Sequence, residues 1–270
     1  MESITQIPVR PVKPVAGYIG GKRNLSRRLV DLIETIEHAA YIEPFVGMGG
    51  VFFRRRARPK AEVINDISAD VTTLFRILQR HFPQFLDTLK WQLASRAEFE
   101  RLMRVEPDTL TDLERAARFL YLQRLAFGGK VTGRHFGVNY EAGARFDLTK
   151  LVPMLEDVHE RLAGVVIERL PFAELIARYD RPGALFYLDP PYWGCETDYG
   201  ANVFSAADFE RLSTLLEGLR GRFVLSINDV PEIRALFDWA EMQPVGVTYR
   251  ISGTPTAARE LIITDRKGRP

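Results

Sequence analysis

Ala40-Tyr41-Ile42-Glu43-Pro44-Phe45-Val46-Gly47-Met48-Gly49-Gly50 is a short apolar run that breaks into a glycine-rich turn. That is the pattern of a buried strand ending where glycines let the chain reverse. Downstream, Val51 to Arg56 reads as the start of a helix, and Glu62-Val63-Ile64-Asn65 as a second strand that ends on Asp66. Upstream, Leu25, Leu29, Leu32, Ile33 and Ile36 recur at helical spacing, so Asn24 to Glu37 is expected to form an amphipathic helix. Strand, glycine turn, helix, strand and acid in this order make an α/β unit whose strand ends hold a nucleotide-like ligand.

From Ala69 to about Arg124 the strand pattern gives way to helical spacing, with Leu74, Ile77 and Leu78 in one piece and Leu113, Ala117, Leu120 and Leu125 in another. This helical stretch ends in Gly128-Gly129-Lys130-Val131-Thr132-Gly133-Arg134-His135-Phe136-Gly137, whose glycines and β-formers predict a hairpin or an exposed loop. Strands resume at Val165-Val166-Ile167, at Ala184 to Leu188 and at Phe223 to Ile227, and Val245 to Ile251 is placed to pair with Glu260 to Thr264 as an antiparallel edge. The expected fold is therefore α/β, a mostly parallel sheet with an antiparallel edge plus a helical insertion carrying a hairpin. Residues 1–70 and 151–270 would form the two parts of the sheet domain, and residues 71–150 the insertion.

Composition bounds the function. With 270 residues, 46% hydrophobic and 27% charged, the chain is long enough to bury a full core. No apolar run approaches the roughly 20 residues of a membrane span, and Met1 to Pro14 carries polar and proline residues where a signal peptide needs an apolar stretch, so a cytoplasmic protein is expected. The single cysteine, Cys195, excludes an internal disulfide and a cysteine-rich zinc site, and no metal is expected. A net charge of +2 is only mildly basic, but basic residues crowd Lys13 to Arg28, Arg54 to Lys60 and Arg115 to Arg134.

Two motifs carry chemistry. Phe45 to Gly50 lets a ligand approach the backbone closely, through Gly47 and Gly49, and Asp66 is placed to accept hydrogen bonds from ribose hydroxyls. Asp189-Pro190-Pro191-Tyr192 follows the apolar strand Ala184 to Leu188, at the carboxyl end of a parallel sheet. Two successive prolines there stiffen the backbone and stop pairing, which marks a shaped site. The Asp189 carboxylate and the Pro190 carbonyl can both accept hydrogen bonds from a planar amino group and stabilise positive charge developing on it, and Tyr192 can stack on its ring.

With these residues in view, the chain resembles the Dam-type, D12-class adenine-specific DNA methyltransferases, from about Gly17 to Asp265. Tyr18-Ile19-Gly20-Gly21-Lys22 resembles the family's W-x-G-G-K motif, Phe119 to Arg124 its F-L-Y-L-N-R stretch, and Ser226-Ile227-Asn228-Asp229 its S-N-x-D stretch. The order of lysine motif, glycine motif, helical insertion and D-P-P-Y motif is that of the α group. The resemblance implies a Rossmann-like class I methyltransferase sheet, S-adenosylmethionine as methyl donor and double-stranded DNA as partner; no obligate protein partner is inferred. It places Tyr18, Lys22, Phe45, Gly47, Asp66 and Phe172 at the cofactor and Asp189 to Tyr192 at the target adenine, and Gly49 and Asp189 are expected at the cofactor as well. Lys22 has two candidate partners, the cofactor carboxylate and Asp189.

The resemblance fails in two places. Pro171 stands where many relatives have an acid before the aromatic, here Phe172, which leaves the cofactor adenine to backbone groups and stacking. The hairpin lacks the N-G-L-x-R arginine of GATC-reading members. Lys130 and Arg134 are candidates to replace it, and a shorter or looser target sequence is the other expectation. Arg115, Arg118, Arg124, Lys130 and Arg134 are expected at phosphates, and Phe127 is a candidate either for the gap a flipped base leaves or for the core of the hairpin. Cys195 is expected to pack rather than react.

Overall fold

A computed structural model describes residues 6–22, 24–137, 143–200, 203–251 and 254–266. Its centre is a seven-stranded sheet built from β2 (Ala40–Glu43), β4 (Ala61–Asn65), β5 (Val166–Glu168), β6 (Ala184–Leu188), β7 (Arg222–Asn228), β8 (Glu241–Ile251) and β9 (Thr254–Thr264), while β1 (Ile7–Pro8) and β3 (Ala57–Arg58) pair apart from it. The spatial order is β5-β4-β2-β6-β7-β9-β8. The first five strands of that order are mutually parallel, and β9 then runs antiparallel to both β7 and β8. This is the expected Rossmann-like methyltransferase sheet, with its antiparallel edge longer at both strands than the apolar runs alone indicated.

Alternation of side chains fills both faces. Tyr41, Ile64, Leu185, Tyr187 and Val224 point into a core shared with α1 (Ser26–Thr35), α2 (Ala69–Arg80), α3 (Phe82–Leu89), α4 (Arg96–Met103), α5 (Asp112–Leu125) and α6 (Leu148–Arg161). Ile42, Val63, Phe186, Leu188 and Leu225 point into the other, covered by α7 (Phe172–Tyr179), α8 (Ala206–Glu217) and α9 (Pro231–Leu236). The helical stretch after Ala69 thus extends the first core. Its central helix, α5, is buried around most of its circumference and starts on a capping box between Thr111 and Glu114. Among the described residues no helix is long and apolar enough to cross a membrane.

One expected helix is replaced. Val51 to Arg56 forms only a single 3₁₀ turn, Phe52–Arg54, after which Arg55 is extended. The reason is a buried ion cluster: Arg55 Nη1 donates to Glu62 Oε1 at 2.6 Å, and Arg161 pairs with both Glu62 oxygens at 2.7 Å. Drawing Arg55 inward ends the turn, and one of the three basic clusters of the sequence is in part interior. The glycine-rich segment after α5 does form a hairpin-like loop, closed by a bridge between Ala126 and Phe136 and by a hydrogen bond from Phe127 N to His135 O at 2.9 Å.

Candidate active site

Because β2, β4, β5 and β6 are parallel, their carboxyl ends share one edge, and a cavity of about 830 Å³ opens there. Its floor is tied together by Asn65, whose Nδ2 donates to Pro44 O at 2.9 Å and Leu170 O at 3.0 Å while Oδ1 accepts from Leu170 N at 2.8 Å. One buried amide thus joins the exits of three strands. Next to it, Asp66 accepts from Gly47 N and from Ser68 N, both at 2.9 Å. Burial pushes the Asp66 carboxyl up to about 6, and those two N–H donors hold it from rising further. Gly47 has a positive φ of 49°, and a Cβ there would sit 3.0 Å from the Tyr18 ring, so glycine is what lets Tyr18 lie on the turn.

At the other end of the cavity, the prolines after β6 end its pairing and present Asp189. Lys22, almost wholly buried, places Nζ 2.6 Å from Asp189 Oδ1 and donates to the Tyr192 hydroxyl at 2.7 Å, with its ammonium 4.3 Å from the centre of the Tyr192 ring. Of the two partners open to Lys22 in the sequence, the chain itself supplies Asp189. Ser226 Oγ also donates to Asp189 Oδ1, at 3.4 Å, and is in turn 2.9 Å from the Tyr187 hydroxyl. Asp189 Oδ2 makes no hydrogen bond with any described residue, and Asp189 lines the cavity. Burial raises the Asp189 carboxyl to about 6 against the opposing pull of Lys22. Asn228, at the end of β7, fixes the loop beyond by exchanging two hydrogen bonds of 3.0 Å with the Trp193 backbone.

Between these ends lies an aromatic slot. Phe45, Phe172 and Phe204 surround one another at centroid separations of 5.6, 5.9 and 5.7 Å, and all three line the cavity. The roof is made of loops. Gln123 Nε2 donates to Gly17 O at 2.9 Å and Gly129 O at 2.7 Å, and Ile19 N donates to Gly129 O at 2.9 Å, so the lysine-motif loop and the hairpin are joined. Tyr199, on the turn after the prolines, donates its hydroxyl to Ile19 O at 3.1 Å, and Thr132 of the hairpin donates to Asp198 O at 3.1 Å.

Of the residues the sequence singled out, Tyr18, Lys22, Phe45, Gly47, Asp66, Phe172, Asp189 and Pro191 line this cavity. Gly49, where a Cβ would meet the Phe53 ring, and Pro190 and Tyr192 are not among the residues that line it. The arginines expected at phosphates are otherwise engaged. Arg124 donates to Val15 O and Arg145 O, Arg134 to Gln123 Oε1 and Lys130 O, Arg118 to Leu102 O, and Arg115 to Asp70 and Asp108. Phe127 and Lys130 do stand exposed. Cys195 is exposed rather than packed. Asn65, read only as the end of a strand, and Tyr199 and Phe204 had no site role in the sequence reading, although an amide ending an apolar strand one residue before Asp66 was a visible signal.

Comparison with known proteins now decides the family. Residues 18–251 match the family model described as "D12 class N6 adenine-specific DNA methyltransferase". The chain belongs to this family. It is 25% identical over 230 residues to the Type II methyltransferase M.CviBI of Paramecium bursaria Chlorella virus NC1A, covering 84% of this chain and 87% of the relative. It is 28% identical over 279 residues to the Type II methyltransferase M1.LlaDCHI of Lactococcus lactis subsp. cremoris, covering 94% and 95%. A "DNA N-6-adenine-methyltransferase" of Escherichia phage P1 is 29% identical over 255 residues, 84% of this chain and 32% of that protein. The chain is accordingly an adenine-specific DNA methyltransferase that takes its methyl group from S-adenosylmethionine.

Proposed function

We propose that this methyltransferase acts on adenine flipped out of double-stranded DNA, with the cofactor held along the strand ends and the base received at Asp189. The observation that carries the reading is the Asp189 carboxylate: Lys22 and Ser226 hold Oδ1, while Oδ2 is left without a described partner at the cavity wall. The donor set fits the cofactor. Asp66 retains lone pairs for ribose hydroxyls beyond those taken by Gly47 and Ser68, and the slot of Phe45, Phe172 and Phe204 suits a planar adenine without an acid at position 171.

S-adenosylmethionine supplies an electrophilic methyl group. The chain's own residues do the rest. Lys22 keeps Asp189 ionised and aimed, Asp189 and the Pro190 carbonyl accept the two amino hydrogens, and the nitrogen lone pair is thereby directed out of the base plane. The fixed carboxylate stabilises the positive charge that develops on nitrogen. Flipping costs a few kcal/mol. Tyr192 beside the base and Phe127 in the gap of the duplex offset that cost, and Lys130 meets a phosphate. Such an enzyme works on DNA in the cytoplasm.

The test compares the wild type with Asp189→Ala on unmethylated plasmid, using labelled cofactor and a nucleoside digest. N6-methyladenine is expected from the wild type, with a fall in the variant of about 100- to 1000-fold, the scale of losing one fixed electrostatic contact. Circular dichroism and binding of S-adenosylhomocysteine should persist. Retention of a tenth of the activity would remove Asp189 from the chemistry, and preference for heat-denatured plasmid would remove the duplex.

A further inference from the structure

We propose that Arg145 is the guanidinium this enzyme aims at the nucleotide next to its target adenine, and that a small hollow at the base of the hairpin is the subsite which that nucleotide enters. The proposal rests on the DNA-adenine reading above. The hollow, of about 290 Å³, is bordered by Gln123, Arg124, Gly129, Arg145, Asp147 and Lys150. Arg145 borders the main cavity as well, as do Pro14, Gly17 and Gly129. The two hollows therefore adjoin, and Arg145 stands on the ridge between them. A base in the larger one has its strand neighbour beside the smaller.

The other cations that border the hollow are occupied. Arg124 donates to Val15 O and to Arg145 O, the latter at 2.7 Å, and Lys150 lies 3.2 Å from Asp147. Arg134 folds inward onto Gln123 at 3.0 Å, and burial pulls its guanidinium below the ordinary arginine value. Arg145 differs on both counts. Its side chain is exposed and makes no hydrogen bond or ion pair with any described residue, yet its backbone is anchored by Arg124 through the carbonyl. The following residue, Phe146, is buried with its ring 4.9 Å from that of Tyr121. A fixed stem with an uncommitted planar fork suits a partner that offers two acceptors in one plane. In DNA those are a pair of phosphodiester oxygens or the O6 and N7 atoms of a guanine. Arg124, expected itself at a phosphate, serves instead as the bracket that holds Arg145 in place.

Arg145→Ala and Arg145→Lys are to be assayed on unmethylated plasmid for kcat/KM, for methylated positions at single-base resolution, and for salt dependence of DNA binding, with S-adenosylhomocysteine affinity by calorimetry alongside. Arg145→Ala should lower kcat/KM for DNA about tenfold or more, with cofactor affinity unchanged within about twofold, the ordinary scatter for an untouched site. If the partner is a phosphate, the loss is uniform over all sites, the salt slope falls by about one, and lysine restores part of the activity. If it is a guanine edge, the methylated motif relaxes at one position and lysine does not restore it. Wild-type rates, sites and salt dependence in Arg145→Ala would overturn the proposal while leaving the methyltransferase reading intact. A parallel loss of cofactor affinity would overturn it too, by assigning Arg145 to the cofactor. Absence of methyl transfer to DNA by the wild type would instead remove both.

Discussion

The floor and the roof of the cavity are built on opposite principles. The floor is sheet: Asp66 and Asp189 follow directly on strand ends and Phe45 comes one residue later, and Asn65 and Asn228 lock this edge by hydrogen bonds of 3.0 Å or less to backbone. The roof is loop, joined by two hydrogen bonds from Gln123 and one each from Tyr199 and Thr132. Rigid strand ends can hold a reacting geometry within a fraction of an ångström, whereas joined loops can open for a base and close over it. The difference assigns chemistry to the floor and entry to the roof, and substitutions in each wall should separate the two.

The largest effect is expected at Asn65. Replacing it by alanine leaves the carbonyls of Pro44 and Leu170 and the Leu170 N–H without their partner in a buried place. With each such group costing about 1–3 kcal/mol, the loss of stability should reach about 3 kcal/mol or more. Urea unfolding would measure it, and cofactor affinity should fall with it because Asp66 and Phe172 flank the released strand ends. A loss below about 1 kcal/mol, the net worth of an ordinary hydrogen bond, would mean that the floor is held by apolar packing alone.

The same division explains what was legible in the sequence. Floor residues announce themselves because a strand, a glycine turn and an acid are local patterns, and Asp189-Pro190-Pro191-Tyr192 sits directly behind five buried apolar residues. The roof is joined largely from segments far apart along the chain, with Gln123 on Gly17 and Tyr199 on Ile19 each more than a hundred positions apart, and no local pattern encodes such a meeting. The basic residues misled for the same reason. Arg55, Arg118 and Arg124 lie in positive clusters of the sequence, but each finds an acceptor that is distant along the chain or hidden in the fold: Glu62, Leu102 O and Val15 O. A charge can be counted in a sequence; whether it is already committed can be read only in three dimensions.

A smaller effect is expected in the roof. Gln123→Ala removes the two bonds its Nε2 donates and the one its Oε1 accepts from Arg134 Nη2, yet Gly129 O still accepts from Ile19 N at 2.9 Å and Arg134 still donates to Lys130 O, so stability should fall by about 2 kcal/mol. Function should suffer more than stability: kcat/KM for DNA falls about tenfold as the hairpin loses its register on the lysine-motif loop, while kcat at saturating DNA changes little. Gln123→Asn, one methylene shorter, should not restore it. Equal losses in kcat and kcat/KM would show that the roof takes part in the transfer step and would erase the division between the walls.

Acid should attack the floor and spare the roof. Asp66 and Asp189 both titrate at about 6 through burial, and both are needed as acceptors. Lowering the pH through 6 therefore protonates them and reduces kcat/KM, by about tenfold per unit for each essential group well below the midpoint. Stability moves the other way. A carboxyl whose value is raised in the folded chain favours folding fully below its unfolded value, and that contribution is lost as the pH rises through about 6. Glu43, buried beside the same floor and raised to about 8, has the same sign over a wider window. At pH 5.5 the enzyme should then transfer little methyl while these three groups make its fold no less stable than at pH 7.5, and DNA binding through the exposed Lys130 should persist. Thermal melts and filter binding run beside the pH–rate profile decide the matter. An acid limb with its midpoint near 4 would mean that solvent reaches both carboxylates freely, and the floor would then lack the buried electrostatics on which its role in the chemistry depends.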